Sequence, residues 1–290
     1  MKNKKCCSKI NAEKAPYNAQ GGRAMFELKI WDKEIPLYDE KIDNEGNNNI
    51  NRITFFPADT DRLVPTVVIY PGGGYCLRAV SHEGFDVAAF FNKHGYNAAV
   101  VDYRVAPYRH PAQLLDAQRA IKVVRSLGAQ HNVDAEKIVT LGFSAGGHLC
   151  GMTATLPDIC NVYGDEIDKL SARPNGAILC YAVSSSEESF GHIGSFRNLL
   201  GAEFDKKDEF STEKRIDENT CPCFLWHTAT DACVNVENSI KFAQNLIKND
   251  IPCELHIFPS GPHGTGLAPQ LKEASIWPEL AAKWIRNTIE

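Results

Sequence analysis

The chain has 290 residues, of which 43% are hydrophobic and 23% charged, and this is the composition of an ordinary globular protein. A core of this size needs no disulfide bonds for stability. The formal net charge of −5 argues against nucleic acid as a partner. No stretch of sequence approaches the roughly 20 apolar residues that span a bilayer, so we expect no membrane partner.

Residues 1–24 are polar, glycine-containing and aperiodic, and we expect them to form a disordered tail. They lack the apolar segment of a secretory signal peptide, so the predicted location is the cytoplasm. Disulfides are rare in that compartment, and the ten cysteines are therefore expected to be reduced. The cysteines at 6–7 and 221–223 do not have the spacing of a structural zinc site, and no metal is predicted.

From residue 25 onward, apolar runs predict strands that alternate with amphipathic helices. Residues 25–31 and 51–56, joined by the polar connection 32–50, predict an antiparallel edge hairpin. Further strands are predicted at 66–71, 96–103, 137–143, 175–183, 222–228 and 252–259. Helices are predicted at 83–95, 112–131, 145–156, 236–249 and 273–289, and an irregular insert at 184–219. This alternation indicates one α/β domain over residues 25–290, with a mostly parallel sheet and helices on both faces.

One predicted strand ends in the segment Gly142-Phe143-Ser144-Ala145-Gly146 and is followed at once by a helical pattern. In that context the serine occupies a tight turn that lifts its hydroxyl above the carboxyl edge of the sheet. Glycines on both sides are needed because side chains there would collide with the neighbouring strand and helix. The segment therefore predicts Ser144 as a nucleophile, and the alternative is a glycine-rich helix entry without chemistry.

A nucleophilic serine needs a base and a carboxylate that orients the base, here in the chain order Ser, Asp or Glu, His, each after a later strand. Asp231 in "HTATDACV" and His263 in "PSGPHGTG" meet that requirement. Other acidic residues lie in the insert or after a helix: Asp217, Glu218 and Asp250. Other histidines lie inside a strand or before the predicted acid: His82, His110, His227 and His256.

The segment "YPGGGY" (70–75) follows an early strand, where an oxyanion hole is expected. We predict that the backbone N–H groups of Gly73 and Gly74, with that of Ala145, hold the oxyanion. Tyr75 follows the glycines and is predicted to border the acyl pocket. His148, one helical turn after Ser144, is interpreted as a buried structural histidine.

Together these motifs resemble the α/β-hydrolase superfamily, and within it the bacterial acetyl-xylan-esterase-like branch of the esterases and lipases. The motifs are "YPGGGY" (70–75), "VVDYRVAP" (100–107), "LGFSAGGHL" (141–149), "WHTATDACV" (226–234) and "HIFPSGPHG" (256–264). The resemblance implies an α/β-hydrolase fold, Ser144 as nucleophile, His263 as base, Asp231 as its orienting acid and a short-acyl ester as substrate. Pro71 stands where the hormone-sensitive-lipase-like group has a histidine.

Two further features concern the mouth of the site. Glu83 and Arg104 are candidates for substrate contact, but an ion pair between them is the favoured interpretation. The insert 184–219 lies where a cap covers related sites and is too short for a large lid, which predicts an open site suited to acylated sugars.

The predicted function is therefore a cofactor-independent serine carboxylesterase that hydrolyses acetyl esters of xylo-oligosaccharides or other sugars through an acyl-enzyme. Glycosidic cleavage would require two carboxylates flanking one bond and is not predicted. Two alternatives remain open: cleavage of amides, peptides or other small esters by the same triad, and a non-catalytic binder on the same fold. The sequence does not predict the oligomeric state.

Overall fold

The computed structural model of the protein describes residues 23–42 and 51–290. Residues 1–22 of the predicted tail and 43–50 of the polar connection lie outside the described residues. The described residues include eight strands: β1 (Phe26–Lys29), β2 (Arg52–Phe56), β3 (Val64–Tyr70), β4 (Asn97–Asp102), β5 (Val133–Phe143), β6 (Gly176–Cys180), β7 (Cys223–Thr228) and β8 (Cys253–Phe258). They also include six α-helices: α1 (Asp86–Lys93), α2 (Ala112–Leu127), α3 (Ser144–Thr155), α4 (Ile193–Leu200), α5 (Glu237–Lys248) and α6 (Trp277–Thr288).

The eight strands form one sheet in the order β1-β2-β4-β3-β5-β6-β7-β8. β2 pairs antiparallel with both β1 and β4, whereas the remaining pairs are parallel. The predicted mostly parallel sheet with an antiparallel N-terminal edge is therefore confirmed. The parallel arrangement brings the carboxyl ends of β3, β5, β7 and β8 to one edge, where ligands bind in folds of this kind.

Helices cover both faces of the sheet because the side chains of each strand alternate between the faces. In β3, Val68 and Tyr70 belong to the core that contains α2, α3 and α5. Val67 and Ile69 belong to the opposite core, which contains α1 and α6. Each face thus has its own apolar core, and the loops at the sheet edge are held from both sides.

The insert 184–219 differs from its prediction. It contains α4, followed by 3-10 turns at Gly201–Phe210 and Thr212–Lys214. The apolar side of α4 buries Phe196, Leu199 and Leu200, but the helix is only eight residues long and its charged surroundings hide its periodicity in the sequence. A second difference is a π-helical turn, Ser81–Phe85, that leads into α1.

No helix within residues 23–42 and 51–290 combines the length and apolarity required to cross a membrane. The assignment of residues 25–290 to a single domain stays a prediction.

Candidate active site

Ser144 lies at the turn where β5 ends and α3 begins. Its φ is +54°, a left-handed backbone conformation that costs a non-glycine residue roughly 1–3 kcal/mol and is found most often at functional sites. A Cβ atom on Gly142 would collide with the carbonyl oxygen of Gly146, and a Cβ on Gly146 with that of Tyr70. The two glycines are therefore required by packing, as the sequence predicted.

The structure brings the three predicted triad residues together. Asp231 follows β7 and His263 follows β8, so both reach the edge at which Ser144 lies. His263 Nε2 is 2.8 Å from Ser144 Oγ, and His263 Nδ1 is 2.7 Å from Asp231 Oδ2. In this arrangement Nδ1 donates its proton to the carboxylate and Nε2 accepts from the serine hydroxyl. The geometry is that of a nucleophile, a general base and an orienting acid.

The environment of Asp231 keeps it ionised. Its side chain is 1% exposed, and Oδ1 accepts hydrogen bonds from the backbone N–H groups of Cys233 and Val234, at 2.8 and 3.0 Å. Burial by itself would raise the pKa of Asp231, but hydrogen bonds from His227 and His263 outweigh burial and hold this pKa well below its usual range. A carboxylate is therefore available to stabilise a protonated His263.

The glycine loop after β3 passes beside the serine. A Cβ on Gly72 would lie 3.1 Å from the Cβ of Ser144, and the Gly72 N–H donates to Glu83 Oε2 at 2.8 Å. Gly73 and Gly74 have φ values of +136° and +62°, which favour glycine. Their N–H groups have no hydrogen-bond acceptor among the described residues, so they are available to a ligand.

Helix α3 adds to the same electrostatic environment. Its first turn begins at Ser144, so the Ala145 N–H is one of the donors that a helix N-terminus leaves without an intrahelical acceptor. The positive end of the helix dipole lies at the same point and favours negative charge there. The roles predicted for Ala145 and the two glycines stay predictions, and the loop and helix present the donors that those roles need.

Tyr75 is placed differently from its prediction. The side chain is fully buried, and its hydroxyl is 2.8 Å from His148 Nδ1. The ring and the hydroxyl therefore pack in the core behind the glycine loop, and this side chain does not line the acyl pocket. His148 in turn donates from Nε2 to the Phe210 carbonyl at 2.7 Å, and burial lowers its pKa to about 4. The interpretation of His148 as a buried structural histidine is confirmed.

The expected ion pair between Glu83 and Arg104 is wrong. Arg104 pairs with Asp116 of α2, with Nη2 2.8 Å from Oδ1 and Nε 2.9 Å from Oδ2. Glu83 instead accepts hydrogen bonds from the Gly72 N–H and from the Tyr181 hydroxyl, the latter at 2.7 Å. Tyr181 belongs to the core on the α1 and α6 face, whereas α2 covers the other face, so the two side chains point to opposite sides of the sheet.

Sequence reasoning missed three residues that contact the site loops. The Tyr181 ring lies 4.9 Å from the His263 ring, centroid to centroid. Asn198 of α4 donates to the Gly74 carbonyl at 2.8 Å, and His192 Nε2 lies 4.0 Å from the Cys233 sulfur. Each contact joins positions far apart in the chain and carries no local motif, so no sequence signal would have found it.

The sheet order and the serine turn define an α/β-hydrolase, and comparison with known proteins agrees. The structure superposes on that of an acetyl ester-xyloside bifunctional hydrolase from Caldicellulosiruptor lactoaceticus with a TM-score of 0.83 and 38% identity, over 90% of this chain and 96% of the other. The α/β-hydrolase fold predicted from the motifs is therefore confirmed.

Relatives found by sequence are longer proteins. The chain is 40% identical over 210 residues to endo-1,4-beta-xylanase B of Butyrivibrio fibrisolvens, a match that covers 70% of this chain and 32% of the relative. It is 28% identical over 227 residues to an acetylxylan esterase of Xylanibacter ruminicola, covering 76% of this chain and 45% of the relative. The chain thus spans less than half the length of these curated relatives.

The family model BD-FAE matches residues 54–246, and the chain belongs to this family. The match includes the glycine loop, the Ser144 turn and Asp231, and it ends before His263. The resemblance to acetyl-xylan-esterase-like proteins is confirmed by the family and the relatives together.

Proposed function

We propose that the protein is a serine carboxylesterase that hydrolyses acetyl and other short-chain esters of sugars, acetylated xylo-oligosaccharides among them. The observation that carries the proposal is the continuous chain of hydrogen bonds from Ser144 Oγ through His263 to Asp231, at 2.8 and 2.7 Å. The Ser144 end of this chain lies beside the glycine loop and the N-terminus of α3, which present N–H donors. This constellation suits attack on a carbonyl carbon.

In the acylation half, Ser144 Oγ forms a bond to the ester carbonyl carbon while its proton moves to His263 Nε2. The carbonyl oxygen gains the negative charge, which the N–H groups of Gly73, Gly74 and Ala145 stabilise. The carbon–oxygen bond to the alcohol then breaks, and the alcohol leaves with the proton from His263. An acyl group is left on Ser144, and Asp231 stabilises the imidazolium throughout.

In the deacylation half, His263 removes a proton from water, and the water oxygen attacks the acyl carbon. The bond to Ser144 Oγ breaks, the serine recovers its proton from His263, and the carboxylic acid is released. One water molecule is consumed for each ester, and no cofactor or metal takes part.

Support for a sugar ester as substrate comes from the relatives, which include proteins named for acetylxylan and for an acetyl ester-xyloside activity. The buried carboxylates beside the serine favour ester chemistry over glycosidic cleavage. Asp231 bonds His263, and Glu83 accepts from Gly72 and Tyr181. Glycosidase chemistry needs two carboxylates that face the scissile bond.

The test compares acetate release from acetylated xylo-oligosaccharides by the wild type and by Ser144→Ala, with Ser275→Ala at an exposed serine as the matched control. We expect release that persists in Ser275→Ala and falls by at least ~10³-fold in Ser144→Ala. If the wild type releases no acetate from these oligosaccharides but hydrolyses an aryl acetate in a Ser144-dependent way, the sugar ester is rejected as substrate. The protein would then still be an esterase. Acetate release that survives Ser144→Ala would contradict the proposal.

Titration with a serine-directed phosphonate separates this proposal from the alternatives. An esterase or an amidase incorporates one label at Ser144, whereas a non-catalytic binder incorporates none. A matched pair of acetate ester and acetanilide then distinguishes the first two, since the proposal requires the ester to react far faster.

The proposed cellular location is the cytoplasm. This agrees with the free thiols of Cys150 and Cys180, which are buried in the core as small apolar side chains.

A further inference from the structure

Glu83 occupies an unusual place, because a carboxylate that is 2% exposed lies where the glycine loop, α1 and the end of β6 meet. It is not part of the proposed triad. Its two oxygens have separate partners: Oε2 accepts from the Gly72 N–H at 2.8 Å, and Oε1 accepts from the Tyr181 hydroxyl at 2.7 Å. Both carboxylate oxygens are therefore used as acceptors within the protein.

The first partner leads to the proposed oxyanion hole. Gly72 immediately precedes Gly73, and a Cβ on Gly72 would lie 2.6 Å from Glu83 Oε2 and 3.1 Å from the Ser144 Cβ. The carboxylate, the loop and the serine turn are thus packed in direct contact. A charge-assisted hydrogen bond at this point fixes the peptide group that precedes the oxyanion donors.

The second partner leads to the proposed base. The Tyr181 hydroxyl donates to Glu83 and accepts from the Gly266 N–H at 2.9 Å, and Gly266 is three residues after His263. The Tyr181 ring lies edge-on to the His263 ring, with an angle of 66° between their planes. Tyr181 itself has a φ of +35°, a strained backbone conformation of the kind found most often at functional sites.

We propose that Glu83 is a positioning residue that holds the oxyanion loop and the His263 loop at a fixed distance from each other across Ser144. This inference rests on the proposed esterase function. Glu83 acts through Gly72 and Tyr181 and does not touch the substrate. Because catalysis falls steeply when a donor or a base is displaced by as little as 1 Å, one carboxylate that fixes both loops affects the rate and leaves ground-state binding largely unchanged.

The chemistry requires a carboxylate at this position. Gly72 and Tyr181 each donate a proton, so two acceptor oxygens are needed. Glutamine has the same shape but offers only one acceptor oxygen and an NH₂ group. In Glu83→Gln one of the two donors therefore loses its acceptor, and the other contact remains. Tyr181→Phe removes only the link to the His263 loop and leaves Gly72 bound.

The test measures kcat and KM for an aryl acetate in Glu83→Gln, Tyr181→Phe and the double variant. We expect kcat to fall roughly 10–100-fold in Glu83→Gln and by a smaller factor in Tyr181→Phe, with KM changed by less than about threefold. The kcat of the double variant is expected to stay within about twofold of the kcat of Glu83→Gln, because the effects of residues that act through one network are not additive.

The control is Asp168→Asn, which disturbs a buried ion pair with Arg119, 2.6 Å long, in a different part of the molecule. It is expected to lower Tm without lowering kcat. The inference is overturned if Glu83→Gln and Tyr181→Phe keep the wild-type kcat, if only KM changes, or if kcat falls equally in Asp168→Asn. If Glu83→Gln does not fold, Tyr181→Phe decides by itself.

The outcome is separable from that of the proposed function. If the wild type shows no Ser144-dependent hydrolysis and no phosphonate label, the proposed esterase has failed. If the wild type is active and labelled while both variants match it, only the role of Glu83 has failed.

Discussion

His227 Nε2 lies 3.4 Å from Asp231 Oδ2, the same oxygen that accepts the 2.7 Å hydrogen bond from His263. The His227 ring is fully buried and is held by the Ser239 hydroxyl at 2.8 Å and the Val234 carbonyl at 2.9 Å. One carboxylate therefore lies between a fixed histidine at the end of β7 and the histidine that contacts Ser144. His227 therefore helps to orient the Asp231 carboxylate towards His263 and to keep it ionised.

We predict that Asp231→Asn lowers kcat for an acetate ester by roughly 10³–10⁴-fold with a smaller effect on KM. The amide would favour the wrong tautomer of His263 and would not stabilise its protonated form. Asp217→Asn is the matched control, since Asp217 caps an exposed turn through the Asn219 N–H. Steady-state kinetics of both variants check the prediction, which fails if the two lose activity equally.

Alanine substitutions at two adjacent positions of the glycine loop, Gly73 and Gly74, should have different effects. A Cβ on Gly73 would collide with the Leu77 carbonyl, whereas a Cβ on Gly74 has its nearest neighbour at 3.9 Å. We predict that Gly73→Ala displaces the loop and lowers kcat by at least ~10²-fold. Gly74→Ala keeps its N–H group in place and costs about 1 kcal/mol of stability for its left-handed φ. Kinetics and urea unfolding of the pair measure both effects, and a greater loss of kcat in Gly74→Ala would contradict this account.

Tyr75→Phe tests whether this side chain supports the loop or contacts substrate. Removal of the hydroxyl leaves the buried His148 Nδ1 without its partner, so we expect a loss of about 1–3 kcal/mol in the free energy of unfolding. KM for short acetate esters should stay within about twofold of the wild type. A large rise in KM with unchanged stability would contradict this account and would indicate that Tyr75 contacts the substrate.

The stability of the protein should depend on pH through His148. Burial lowers the pKa of His148 from 6.5 to about 4, so the unfolded chain binds a proton between these values and the folded chain does not. Above pH 6.5 His148 is neutral in both states, and its burial costs no stability from protonation. As the pH falls from 6.5 towards 4, protonation of His148 in the unfolded chain lowers the free energy of unfolding.

From pH 7 to pH 5, the free energy of unfolding of the wild type should therefore fall by about 1–2 kcal/mol more than that of His148→Gln. Urea unfolding of both proteins at the two pH values gives this difference directly. Equal losses in the two proteins would show that His148 does not titrate in this way.

The fold and the proposed triad could be predicted from the sequence because each depends on a local pattern. Runs of β-branched residues predict strands buried on both faces. The segment Gly142 to Gly146 predicts its own turn, because Cβ atoms at either glycine would meet backbone oxygens. Asp231 and His263 follow from their positions after strands, since parallel strands bring such loops to one edge.

The contacts that fix these groups were decided only by the tertiary structure. Glu83 bonds Tyr181, 98 residues away, and Tyr75 bonds His148, 73 residues away. A buried polar side chain takes the partner that the folded sheet places beside it, and which face of the sheet that partner occupies has no local signature. The motifs of this protein therefore determine which groups meet at the sheet edge, and long-range packing determines what holds each of them in place.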